Sequence, residues 1–151
     1  MSDSVRRRAV IVGILGLFTL SLAALAGSAA RAQAQSAPAL KGYDPVAYFT
    51  EGKPVRGAKD ISYDWDDARY LFSSAKNKTA FAAAPDKYAP QFAGLCATGL
   101  AFGQKVEADP RAWKIVDGKL YLFSSVKARE TAEKDPGVLD RAHAGAPAKK
   151  K

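Results

Sequence analysis

Cys96 is the only cysteine among the 151 residues, and His143 is the only histidine. The thiol stands between glycines, in Gly94-Leu95-Cys96-Ala97-Thr98-Gly99. A lone thiol there suits a nucleophile or peroxide target, a soft-metal ligand, an intermolecular bridge, or a buried small hydrophobe. If a helix begins near Gly94, the thiol falls in its first turn, where the positive helix end favours a thiolate. No second cysteine is present to resolve a sulfenic acid within the chain. Cys96 and His143 together offer two soft ligands, whereas structural zinc takes four protein ligands and catalytic zinc three. Tyr43, Tyr48 and Tyr88 are candidates to line a pocket with their hydroxyls pointing inward. Asp44 and Asp109 precede prolines and Asp117 precedes a glycine, so caps and turns account for them. Asp66-Asp67 reads as a turn, with cation binding as the alternative. There is no glycine-rich phosphate loop and no nucleophilic-serine motif.

The elements that must position these groups follow from local signals. Residues 1–34 read as a signal peptide: Arg6-Arg7-Arg8, an uncharged run from Ala9 to Ala26, then small residues fitting an A-x-A cleavage site. The apolar run sits at the short end for a membrane span, so no stable span is expected after cleavage. A periplasmic or secreted location follows. Residues 35–41 read as a linker, 42–144 as one domain and 145–151 as a disordered basic tail. The formal net charge is +8, but residues 1–32 carry +3 and Lys149–Lys151 three more, leaving about +2 on the folded part. No basic stripe with interleaved aromatics is present, which argues against a nucleic-acid partner.

Within the domain, Asp44-Pro45 predicts a short helix through Phe49. Ile61–Trp65 and Arg69–Phe72 read as a hairpin, followed by a helix over Ala75–Ala84 capped by Ser73 or Ser74. A helix weakened by two glycines is expected over 91–103. Trp113–Val116 and Lys119–Phe123 form a second hairpin, with Asp117-Gly118 suited to a type I′ turn. A helix over Val126–Lys134 follows, ended by Pro136, and Val138–Ala144 reads as a last helical turn or two. At a constant offset of 51 residues, Tyr70-Leu71-Phe72-Ser73-Ser74 repeats as Tyr121-Leu122-Phe123-Ser124-Ser125, and Lys76 and Pro85 recur as Lys127 and Pro136. Two hairpin–helix units joined in one small antiparallel sheet with helices over it give an α+β fold. Cys96 then lies between the repeats, at a junction where pockets form.

Gly42-Tyr43-Asp44-Pro45-Val46-Ala47-Tyr48-Phe49, Tyr88-Ala89-Pro90-Gln91, Gly94-Leu95-Cys96-Ala97 and Asp109-Pro110-x-x-Trp113 through Leu122 resemble the exported YHS-domain proteins, over residues 40–143. The small exported branch is similar to forms with selenocysteine at the Gly-x-Cys-Ala position, which implies redox chemistry at Cys96. The resemblance also implies an association with transition-metal ions, since a metal-sensing relative uses Phe-Cys-Ser-x-x-Cys-x-x-x-Phe. In this chain that run is Phe72-Ser73-Ser74-Ala75-Lys76-Asn77-Lys78-Thr79-Ala80-Phe81. Serine and asparagine replace the two thiolates, and neither is a soft anionic ligand.

Three readings stay open. The first is an exported module that binds a metal or small ligand, or senses redox state, through Cys96, with Tyr43, Tyr48 and Tyr88 as further ligand contacts and His143 as a second metal ligand. The second is a thiol-dependent enzyme using peroxide or disulfide chemistry at Cys96. The third is a structural or partner-binding domain in which Cys96 is inert.

Overall fold

The computed structural model describes residues 37–147. The signal-peptide reading and the last lysines lie outside the described residues. The fold is α+β, as the sequence predicts, with six α-helices and two antiparallel hairpins among the described residues. The order is α1 (Ala47–Thr50), β1 (Ala58–Trp65), β2 (Ala68–Phe72), α2 (Ala75–Ala83), α3 (Pro85–Tyr88), α4 (Ala97–Ala101), β3 (Asp109–Val116), β4 (Lys119–Phe123), α5 (Val126–Lys134) and α6 (Gly137–Gly145).

The duplication extends well beyond the segment that shows identity. Strands, the first long helix and the hairpin irregularity all recur at the offset of 51: β1 slips register between Ala58 and Ser62, and β3 between Asp109 and Trp113. Ser74 caps α2 by accepting the Asn77 N–H at 3.1 Å, and Ser125 caps α5 by accepting the Ala128 N–H at 3.1 Å. Both hairpin turns hold two residues with positive φ, Asp66-Asp67 (50° and 58°) and Asp117-Gly118 (51° and 71°), as type I′ geometry requires.

Each half also begins with a tight left-handed turn. Leu40, Lys41 and Gly42 have φ of 54°, 51° and 83°; Phe92, Ala93 and Gly94 have 63°, 51° and 86°. Non-glycine residues rarely adopt this region, at a cost of roughly 1–2 kcal/mol each. The turn sends Leu40 and Phe92 inward, where they are 6 % and 8 % exposed. Leu40 therefore belongs to the core and not to a linker. The expected helix over 91–103 is instead this turn, an extended Leu95-Cys96 step and the five-residue α4. Gly94 serves the left-handed turn, so it interrupts the helix rather than weakening it.

The two hairpins do not join into one sheet; each remains a separate two-stranded ribbon. They meet through side chains. β4 is buried on both faces: Leu120 and Leu122 enter a cluster with Tyr48, Tyr70, Phe72 and Phe81, while Tyr121 and Phe123 enter a second cluster with Phe92, Cys96, Leu100 and Ala142. This is the period of two expected of a strand between two layers. The Tyr48 hydroxyl donates to the Pro110 carbonyl at 2.8 Å and its ring meets Trp113 edge-on, joining the halves.

Candidate functional site

The left-handed turns place Asp44 and Cys96 in equivalent corners. Here the offset is 52, not 51, because the first half carries one more residue between this corner and its first strand. The backbone hydrogen bonds coincide. Asp44 N–H donates to Val55 and Cys96 N–H to Val106, both at 2.8 Å; Gly57 N–H donates to Gly42 at 2.9 Å and Ala108 N–H to Gly94 at 3.1 Å. Cys96 thus begins the second repeat instead of lying between the two. The signal was present in the sequence: Pro38 and Gly42 recur as Pro90 and Gly94 at that offset.

The Asp44 corner is a saturated carboxylate. Its Oδ1 accepts the Val46 and Ala47 N–H groups at 2.8 and 3.4 Å. Its Oδ2 accepts the Ser73 N–H at 2.8 Å, the Ser73 hydroxyl at 2.7 Å and the Asn77 amide at 2.7 Å. Asp44 is fully buried. These bonds replace the water it loses on burial. Ser73 and Asn77 are the residues standing where the metal-sensing pattern has thiolates, and the amide reaches the hydroxyl at 3.2 Å. The positions do converge, but an internal carboxylate fills the place between them. A metal ion does not fit this donor set, because hydroxyl and amide hydrogens point at the oxygens a cation would need.

The Cys96 corner is a weaker copy. The sulfur accepts the Gly99 N–H at 3.3 Å and lies 3.5 Å from the Ser124 hydroxyl, the counterpart of Ser73. Ala128 replaces Asn77, and its carbonyl accepts the Thr98 hydroxyl at 2.7 Å. Cys96 is 1 % exposed. It is the residue just before α4, and a helix of five residues carries little macrodipole.

His143 does not join Cys96. Its Nε2 pairs with the Tyr121 hydroxyl at 3.0 Å, and its ring meets Phe92 edge-on at 4.9 Å. Among the described residues, no group of three or more His, Cys, Asp or Glu is placed to hold a metal ion. The three tyrosines also separate. Tyr48 is buried with its hydroxyl committed to Pro110, and burial holds that phenol well above its ordinary range. Tyr43 is half-buried beneath the Arg56 guanidinium, and Tyr88 is half-buried against Phe49.

A groove of about 700 Å³ opens elsewhere, where the halves meet. The first hairpin turn, both left-handed turns and the end of α6 line it, contributing Trp65, Asp66, Tyr70, Gln91, Phe92 and His143 among others. Neither Cys96 nor any of the three expected tyrosines lines it. Sequence reasoning missed this site because its residues come from four separate stretches and form no motif. The halves differ here: α6 runs nine residues where its counterpart α3 runs four, and this extra length carries His143 to the groove.

The matched part of the chain covers most of the first half. Residues 46–92 match the YHS domain. The YHS segment includes Ser73 and Asn77 and stops short of Cys96, so the match says nothing about the thiol. No curated protein and no solved structure matches the chain. Among the described residues, no helix is long and apolar enough to cross a membrane.

Proposed function

We propose that the chain is an exported YHS-type binding module, which holds a small ligand in the groove between its two halves. The groove itself carries this reading. Its volume is typical of small-molecule sites, and its walls combine aromatic faces with a few convergent polar groups. Its rim is made from the two strained turns that both halves retain, and strained backbone gathers at ligand clamps. In this reading Cys96 is a buried cap rather than a ligand. A neutral apolar dye, N-phenyl-1-naphthylamine, tests it by fluorescence. Saturable one-site binding is expected, lost when Ala146→Trp fills the groove from a position of ordinary backbone (φ −72°), and unchanged by Cys96→Ser. Absence of saturable binding to the wild-type protein rejects the module.

A second reading, redox chemistry at Cys96, draws on one observation. The sulfur is capped by an N–H and touches the hydroxyl of an exposed serine, Ser124. Titration with an aromatic disulfide decides it. A thiol that reacts in the native state within minutes supports the redox reading; one that stays silent until the chain unfolds removes both it and the thiol-enzyme reading.

A further inference from the structure

The groove's chemistry points to a ligand class, an inference that rests on the binding-module reading above. Tyr70 lines the groove and is only 4 % exposed, yet its hydroxyl has no hydrogen-bond partner among the described residues. The group is not sealed away either. Among the described residues, the one side-chain polar atom both sealed and without a hydrogen bond is Arg129 Nε. A hydroxyl on a groove-lining residue with no protein partner keeps a hydrogen bond to offer a ligand in place of water. The counterpart Tyr121 shows the satisfied case, with its hydroxyl on His143.

Charge narrows the ligand. Asp66 and Asp67 both line the groove, and among the described residues no lysine or arginine does. Asp66 makes no ion pair among the described residues. Asp66 and Tyr70 line the same groove, so a ligand there meets both the carboxylate and the phenol. Trp65, Tyr70 and Phe92 line the groove, and aromatic rings attract cations and repel anions over their faces. The second hairpin turn has glycine where the first has Asp67, although aspartate is the more strained residue at positive φ. Asp67 is therefore not required by the turn, whereas Asp66 recurs as Asp117 and also suits the turn.

We propose that the groove binds a small organic cation, an alkyl- or arylammonium with an apolar body. The ammonium sits between the Asp66 carboxylate and the Tyr70 oxygen, and the body lies against Trp65 and Phe92.

Three probes of similar size and different charge test this: 2-phenylethylammonium, 2-phenylethanol and 3-phenylpropionate. Trp65 fluorescence reports binding in a Trp113→Phe background, with the naphthylamine dye as competitor. The ammonium is expected to bind at least 10-fold more tightly than the alcohol, and the carboxylate more weakly than either. Asp66→Asn keeps the turn, since asparagine accepts positive φ, and is expected to cut the ammonium preference below 3-fold while leaving alcohol and dye binding intact. Asp66→Gly repeats the test in a second turn-compatible residue. Dye binding without ammonium preference, or with carboxylate preference, overturns the ligand class while the module stands. No binding of dye or any probe overturns both.

Discussion

The Asp44 and Cys96 corners share a backbone and differ in what fills it. In the first half a carboxylate gathers five donors from three segments of chain. In the second a sulfur accepts one N–H and touches one hydroxyl. The first corner therefore holds its half together by charge-assisted hydrogen bonds, while the second relies on apolar packing around a small side chain. The helices compensate in kind. α2 brings Phe81 against Tyr70, Phe72, Trp65 and Tyr63, whereas α5 has Ala132 at that position, and α6 packs over α4 with Gly145 close against the Leu100 carbonyl. One template thus yields a polar-locked half and a close-packed half.

Removing the two caps should break this comparison most sharply. Asp44→Ala leaves several buried donors unpaired and is expected to cost about 4 kcal/mol in urea unfolding. That is a large share of the roughly 5–15 kcal/mol available to a domain. Cys96→Ala is expected to cost about 1 kcal/mol in the same assay. Equal losses would show that the corners do not differ as described.

The next effect concerns close backbone approach. A Cβ on Gly57 would lie 2.5 Å from the Leu71 carbonyl carbon, while its counterpart Ala108 already carries a Cβ and is 3 % exposed. Gly57→Ala is expected to lose about 2 kcal/mol by overpacking, and Ala108→Gly about 1 kcal/mol through backbone freedom. A neutral Gly57→Ala would mean that the first strand can move away from β2. Converting the second corner toward the first gives a smaller change. Cys96→Asp alone leaves a buried carboxylate with two donors where Asp44 has five, and adding Ala128→Asn, the counterpart of Asn77, is expected to recover about 1 kcal/mol of that loss at neutral pH. No recovery would end the equivalence.

The smallest effect separates Tyr70 from Tyr121. Burial, then the Asp66 charge, pushes Tyr70 up to about 12; burial also raises Tyr121, whose hydroxyl is held by His143. A folded-state value above the unfolded one near 10 means that the neutral phenol's contribution is complete below pH 10. It is lost as the pH rises through about 12. Ultraviolet titration of Tyr70→Phe against wild type should remove one late-ionising phenol, and Tyr70→Phe should flatten the alkaline stability loss. Loss of a phenol titrating near 10 would contradict the burial.

The repeated Tyr-Leu-Phe-Ser-Ser run and its flanking prolines made the hairpin–helix units legible in the sequence, because strand alternation, serine caps and turn residues are local signals. The equivalence of Asp44 and Cys96 was hidden by a one-residue shift in offset and by side chains with nothing in common. The single sheet was expected because bare hairpins are unstable alone. The molecule stabilises them by stacking Leu120 and Leu122 against Tyr70 and Phe72, which no edge-pairing rule anticipates. The groove escaped notice because Asp66, Tyr70, Gln91 and His143 are brought together only by the meeting of the halves.

The Tyr48 hydroxyl and the Pro110 carbonyl lie 62 positions apart, the widest separation of any side-chain hydrogen bond among the described residues. The hairpins and caps close much shorter loops, and short loops close with less entropy lost. The Tyr48–Pro110 bond closes a far longer loop, so the packing that joins the halves must offset its entropy. The groove lies where the halves meet, so it exists only while that long-range closure holds.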